Sequence, residues 1–415
     1  MIQYAVAWHP ASDNLGDDLR ALAASQLLPR VDFALDADRP DALPEGLDAD
    51  SRLVTLFTGA FLRNAAHWPP QGQIAPVYAG VHFSAEDTWG LPFKALDGAG
   101  RDFLTVFPPL GCRDERTLRL MEAAGIPCRL TACVTLSLQR PQTTKTAPYV
   151  CCVDVPEQVT AALREFAPGV NTAVRETTHQ LSSPSRDFEA RMAHARQVVQ
   201  TYAGATFVVT RRLHCALVCL AVGTPVVLLY NSGYEDVSRF APMDAMVRTQ
   251  PVEDFVAEVY RNGFPVAWRN PEGVKRWQDA VRSAVREGVA AAEAMALPLI
   301  NPETARAWRE KRLEDTLLAA EEKIHRLEQE RYEGLHEKFG LLMKEDASKT
   351  ALTALLREPE LEKALRRLSW RRVLMAQPWY RRPLTLWKLW RGQHPAQDLV
   401  KEAHEALRPL GWPEK

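Results

Sequence analysis

The stretch Ala205–Tyr230, ATFVVTRRLHCALVCLAVGTPVVLLY, constrains this chain more than any other. Phe207–Val209 and Val226–Leu229 are apolar runs of strand length, and the apolar segment between them has the length of a helix. Gly223-Thr224-Pro225 stops that helix before the second strand begins. Strand, helix and strand in this order belong to an open α/β sheet. Such sheets bind ligands just outside the carboxyl ends of their strands, where helix N–H groups point at an anion. Arg211, Arg212 and His214 stand at that place. Two guanidiniums suit phosphate or carboxylate, and an imidazole can carry a proton near neutral pH. On residue types alone, a solvated arginine pair and a histidine satisfied inside the core fit equally well.

The rest of the chain repeats the alternation. Residues 2–8, Val31–Leu35, Leu53–Phe57, Ile74–Phe83 and Phe103–Phe107 read as strands, with helices at Asp17–Leu28 and Asp114–Ala124. Gln139–Pro148 is polar and bracketed by prolines, which marks a linker. After it come strand Tyr149–Val155, helix Gln158–Phe166, strand Val170–Arg175 and helix Asp187–Ala203. A length of 415 residues exceeds one ordinary core. The expected fold is therefore α/β, with two Rossmann-like doubly wound domains over 1–140 and 148–300 facing a cleft. An all-α extension follows, divided into a long amphipathic helix over 301–345 and a basic, Trp-bearing helical tail over 346–415.

Hydrophobic content of 46% and charged content of 25% belong to a folded soluble protein, and a net charge of −1 gives no reason to expect nucleic acid. The seven cysteines include no CxxC pair, so buried reduced thiols are expected and a zinc site is not. MIQYAVAWHP lacks the basic start of a signal peptide, and no apolar run reaches the ~18 residues of a spanning helix. The expectation is a cytoplasmic protein. Leu313, Leu317, Ala320, Ile324 and Leu327 alternate spacings of four and three, and Leu335, Phe339 and Leu342 resume the pattern. The segment 307–343 is thus a candidate coiled coil for a homodimer, or a helix packed on its own chain. Residues 363–397 hold nine Lys or Arg, no acidic residue, and Trp370, Trp379, Trp387 and Trp390. That mixture suits an anionic membrane surface, which would place the protein peripherally at the inner face, or else a protein-docking helix.

Three further clusters could do chemistry. Asn14-Leu15-Gly16-Asp17 follows the first strand and puts an amide and a carboxylate at the top of the first sheet. Cys112-Arg113-Asp114 opens a helix, where an anion is favoured and where Asp114 can also serve as the cap. Asp36-Ala37-Asp38 lies in an acidic, Pro-rich loop and reads as solvated, so no metal is expected. Phosphate-loop, dinucleotide, zincin and hydrolase-elbow signatures are all missing from the sequence.

Taken in order, N-x-G-D at Asn14–Asp17, C-R-D at Cys112–Asp114, and R-L-H at Arg212–His214 followed by G-T-P at Gly223–Pro225 resemble the polysaccharide pyruvyl transferase family over about residues 1–260. The resemblance implies two Rossmann-like domains arranged as in GT-B glycosyltransferases. It implies transfer of a pyruvyl group from phosphoenolpyruvate to two sugar hydroxyls as a ketal, with no cofactor, on a free or lipid-linked glycan acceptor of surface-glycan biosynthesis. His214 and Asp17 would then be catalytic, and Arg212, Arg211, Asn14, Gly16 and Arg113 would bind substrate. Arg211 stands where the family carries a small hydroxylated residue, with Thr210 one place earlier. A GT-B glycosyltransferase using a nucleotide sugar, and a non-catalytic scaffold of a glycan-assembly complex, are the rival readings.

Overall fold

A computed structural model describes residues 1–48, 50–60, 67–83, 96, 98–105, 109–142, 147–231, 246–264 and 269–344. The chain divides into two compact units, Met1–Ala320 and Glu321–Lys415.

The first unit holds two sheets in which every strand pair is parallel. One sheet contains β1 (Ile2–Trp8), β2 (Phe33–Asp36), β3 (Arg52–Gly59), β4 (Ile74–Val81), β5 (Leu110–Cys112) and β6 (Cys128–Leu130), in the order β2-β1-β3-β4-β5-β6. The other contains β7 (Tyr149–Val153), β8 (Ala173–Thr177), β9 (Phe207–Thr210), β10 (Val226–Tyr230) and β11 (Arg248–Pro251), in the order β11-β10-β9-β7-β8. Counted from each sheet's own first strand, both follow one doubly wound order. The order reverses between β1 and β3 in one half and between β7 and β9 in the other. Central strands such as β4 are buried along their whole length, as a parallel sheet covered on both faces requires.

The helices of the first half are α1 (Leu15–Ser25), α2 (Gly98–Thr105) and α3 (Glu115–Ala123). Those of the second are α4 (Glu157–Phe166), α5 (Phe188–Gly204), α6 (Leu213–Val222) and α7 (Val252–Asn262). Helix α8 (Val274–Ala294) follows the second sheet in sequence yet packs on β4 of the first, burying Val281, Val285 and Val289. A single apolar core joins the two halves, drawing on Leu19, Leu22, Val77, Leu136, Tyr202, Leu217 and Val218. Helix α6 is apolar around its circumference, so it is central to that core. Each fully buried Leu or Val contributes roughly 1.5–3 kcal/mol, which makes α6 a fixed mount rather than a movable lid. Gly223 ends α6 in the left-handed conformation, φ 73°, and Thr224 Oγ1 donates to Tyr202 O at 2.9 Å.

The structure departs from the sequence reading at Phe103–Phe107, expected as a strand. Phe103 lies in α2 instead, buried with Leu104 against the outer core of the first sheet. Residues 106 and 107 of that run lie outside the described residues, and so short an apolar run cannot distinguish the two geometries. Strands β5, β6 and β11 are three or four residues long and carry no periodicity to read. All seven cysteines are free thiols, and six are buried.

Pro302–Lys344 forms one helix, α9. In its Glu321–Gly334 stretch, Ile324 and Leu327 are 43% and 54% exposed. The tail 346–415, with its basic run 363–397, lies outside the described residues. Among the described residues, no helix is long and apolar enough to cross a membrane.

Candidate active site

Strand polarity decides where chemistry can sit. The two points of reversal, after β1 and β3 and after β7 and β9, are where a doubly wound sheet opens a crevice at its carboxyl edge. A cleft of about 310 Å³ is found there, lined by Asn14, His82, Arg113, His179, Arg211, Arg212, Leu213 and His214. Each of these residues follows the end of a strand: Asn14 after β1, His82 after β4, Arg113 after β5, His179 after β8 and the others after β9.

On the first wall, Asn14 caps α1 by accepting from Gly16 N at 3.1 Å. Asp17 in the first turn accepts from Ser12 Oγ at 2.6 Å and pairs with Arg20 at 3.4 Å, and it is not among the residues lining the cleft. Arg113 is buried and donates from Nε to Asp114 Oδ2 at 3.0 Å. Asp114 caps α3, accepting from Thr117 N at 2.9 Å, and lies 2.7 Å from His82 Nδ1. Burial alone would push the Asp114 carboxyl up, but the His82 hydrogen bond and the Arg113 charge hold it well below the usual carboxylate range.

On the second wall, Arg212 is the N-cap residue of α6 and donates from Nε to Asp154 Oδ2 at 2.6 Å. Asp154 follows β7 in a left-handed conformation, φ 52°, and also accepts from His179 N at 2.9 Å. Burial opposes its ionisation, yet bonds from Thr178, the His179 amide and Arg212 keep its carboxyl below the ordinary value. His179 is buried, with Nε2 2.8 Å from Tyr202 Oη. His214 is the second residue of α6, and its Nε2 is buried with no hydrogen-bond partner among the described residues. Burial, then the charges of Arg20 and Arg113, drive its pKa down to about 3, with Asp17 pulling the other way. The ring is therefore neutral at pH 7.

The walls are locked together. Leu15 N donates to His179 O at 2.8 Å and Leu181 N to Asp13 O at 2.7 Å, and Asn14 pairs with Gln180 as an antiparallel bridge. Behind them Arg191 of α5 donates to Asp18 Oδ2 at 2.6 Å and to Ser12 O at 2.9 Å. Burial pushes the Asp18 carboxyl up to about 6 against the pull of Arg191, so the pair is ionised at neutral pH. Gly16 has the closest role: a Cβ there would sit 2.6 Å from His214 Nδ1. The glycine of the first loop is the surface on which the histidine of the second half rests.

The residues proposed from sequence thus converge. Asn14, Arg113, Arg211, Arg212 and His214 line one cleft, Gly16 touches His214, and the charge of Asp17 acts on His214. Sequence reasoning missed His82, His179 and Asp154, which are polar residues following β4, β8 and β7 with no spacing to mark them. Asp36 and Asp38 close a turn, Asp38 N donating to Asp36 Oδ1 at 2.9 Å, and Asp38 lies 3.0 Å from His9. Among the described residues, no group of three or more His, Cys, Asp or Glu is placed to hold a metal ion. Three guanidiniums and three imidazoles around carboxylates already bonded to protein can hold a small multivalent anion and move a proton beside it.

No curated protein matches the chain. Among solved structures, it is similar to UDP-GlcNAc 2-epimerase from Methanocaldococcus jannaschii, at 11% identity and TM-score 0.37, over 69% of this chain and 99% of that one. It is similar to the S. aureus MnaA-UDP co-structure at 10% identity and TM-score 0.37, over 74% and 94%. It is similar to E. coli heptosyltransferase WaaC with ADP at 14% identity and TM-score 0.23, over 71% and 100%. Residues 98–233, which run from α2 through Arg113 and Arg212–His214 to just past β10, match the family model described as polysaccharide pyruvyl transferase.

Proposed function

We propose that this protein moves a pyruvyl group from phosphoenolpyruvate to two hydroxyls of a sugar, forming a ketal and releasing phosphate. The observation that carries the reading is the meeting of His214 with Arg113, Arg211 and Arg212 in one cleft, inside a segment that matches a pyruvyl transferase family. Phosphoenolpyruvate carries phosphate and carboxylate, and forked guanidiniums suit both. The Nε atoms of Arg212 and Arg113 are held by Asp154 and Asp114, which aims each side chain without using its terminal nitrogens.

In the overall reaction, two C2–O bonds form to the sugar and the C2–O bond to phosphate breaks. One hydroxyl proton ends on the donor's methylene carbon, giving a methyl group, and the other ends on phosphate. The methylene carbon needs an acid. His214 is neutral because it is buried and because guanidiniums face it; the negative charge of the donor offsets the guanidiniums and raises its proton affinity. The donor thereby charges its own acid. Departing phosphate is stabilised by the arginines and by the N-terminus of α6. The acceptor belongs to surface-glycan assembly, as a free or lipid-linked sugar, and the Trp-bearing tail would bring the enzyme to an anionic membrane surface.

Calorimetric titration of the full chain with phosphoenolpyruvate and with UDP-N-acetylglucosamine tests the reading. Binding of phosphoenolpyruvate that is weakened in Arg212→Ala supports it. Binding of the UDP sugar alone would replace it with nucleotide-sugar transfer, and binding of neither would favour a scaffold.

A further inference from the structure

The cleft holds a second histidine with a different setting. His82 leaves the end of β4 with its side chain 23% exposed, and it lines the cleft. Its Nδ1 lies 2.7 Å from Asp114 Oδ2 and 3.3 Å from Thr117 Oγ1. An ionised carboxylate only accepts, so the ring proton sits on Nδ1 and the lone pair on Nε2. All side-chain hydrogen bonds of His82 among the described residues are made through Nδ1.

Asp114 is itself held by Thr117 N at 2.9 Å, Thr117 Oγ1 at 2.9 Å and Arg113 Nε at 3.0 Å. A base oriented by a fixed third group is the arrangement that activates hydroxyls in covalent and acid–base enzymes. His214, which also lines the cleft, has no hydrogen-bonded carboxylate partner among the described residues. The charged groups that face His82 are Asp114, Arg113 and Arg116. Burial and the two arginines outweigh Asp114, so His82 releases its proton more readily than an ordinary histidine and is neutral at pH 7.

Resting on the pyruvyl-transfer reading, we propose that His82 is the general base for the acceptor hydroxyl and that Asp114 is the residue that positions it. The first hydroxyl oxygen bonds to donor C2 while its proton passes to His82 Nε2. The C2–C3 π pair takes a proton from His214 at C3. Phosphate leaves with the C2–O electron pair and takes the proton held by His82. The second hydroxyl closes the ketal at C2, and its proton restores His214. The two histidines, one from each half of the protein, thus divide the proton transfers: His82 carries the first hydroxyl's proton to phosphate, and His214 supplies C3 and is restored by the second hydroxyl.

The test measures phosphoenolpyruvate binding by calorimetry and phosphate release with a panel of p-nitrophenyl glycosides, for wild type, His82→Asn and Asp114→Asn. In His82→Asn the new side-chain amide nitrogen falls near the place of Nδ1, so the bond to Asp114 is kept while the basic nitrogen is removed. In Asp114→Asn the new side chain can still cap α3. For His82→Asn the account expects kcat to fall about 10²- to 10⁴-fold, the usual worth of a general base, with donor affinity unchanged and the acidic limb of the pH profile abolished. For Asp114→Asn it expects a lower kcat and an acidic limb moved to lower pH, because the lost carboxylate no longer supports the imidazolium. His82→Asn with a rate near wild type and an unchanged pH profile would overturn the proposal. A wild type that binds no phosphoenolpyruvate would instead overturn the reading beneath it, and the role of His82 with it.

Discussion

Substituting Gly16 with Ala separates the stability of this fold from its chemistry. Gly16 is the second residue of α1, and a Cβ added to it would lie 2.6 Å from His214 Nδ1, 3.2 Å from His214 Cγ and 3.2 Å from Asn14 Oδ1. The shortest of these falls well inside the ~3.5 Å optimum of a carbon contact, so the imidazole must move by several tenths of an ångström. Crowding of this kind costs ~1–3 kcal/mol, while exchanging Gly for Ala in a helix returns up to about 1 kcal/mol. The net loss of stability is thus modest, ~0–3 kcal/mol by difference. Catalysis is less tolerant, since a misplacement near 1 Å costs roughly 10²-fold. Chemical denaturation and the phosphate-release assay on the same preparation should therefore show a nearly native fold with a rate reduced ~10²-fold. Gly169→Ala, where nothing lies within 4 Å, is the control and should change neither. A Gly16→Ala protein more stable than wild type and fully active would refute the contact between the two halves.

Three more outcomes follow from the same geometry. Arg191 and Asp18 are 2% and 1% exposed, so Arg191→Met should destabilise by ~3–5 kcal/mol, and Arg191→Met with Asp18→Leu by less; equal losses in denaturant titrations would contradict an ion pair between halves. His214 releases its proton more readily folded than unfolded, so its contribution to stability is complete above pH 6.5 and is lost as pH falls from 6.5 toward about 3, by at most ~1.4 kcal/mol per pH unit. His214→Asn should flatten the stability curve in that window, and parallel curves would refute the burial of a neutral ring. Deleting residues 363–415 should reduce cosedimentation with phosphatidylserine vesicles, and unchanged sedimentation would remove the membrane role of the tail.

Much of this arrangement was legible because it is local. Arg212 and His214 sit at a strand–helix junction whose apolar runs announce both elements, and Asn14 to Asp17 sit at another. What joins them is not local. The glycine of the first loop is needed because a histidine two hundred residues downstream packs on it, and only the fold brings them together. His82 and His179 each follow a strand without a neighbouring signal, so no spacing singles them out. Asp154 reads as a turn residue until its bonds to Arg212 and His179 are seen. Asp17, read as catalytic from its motif, is engaged by Ser12 and Arg20 and acts on His214 at a distance. The strand expected at Phe103–Phe107 failed for the converse reason, since a short apolar run carries too little pattern to name its own geometry.

The central claim is that the three arginines and His214 serve pyruvyl transfer. It is tested most directly by incubating the full chain with phosphoenolpyruvate and p-nitrophenyl glycosides while following phosphorus and proton NMR together. The account predicts inorganic phosphate and a ketal methyl singlet appearing in equal amounts, only when acceptor is present, and neither in His214→Ala. Phosphate release without a ketal, or sugar transfer from a UDP sugar with phosphoenolpyruvate untouched, would contradict it.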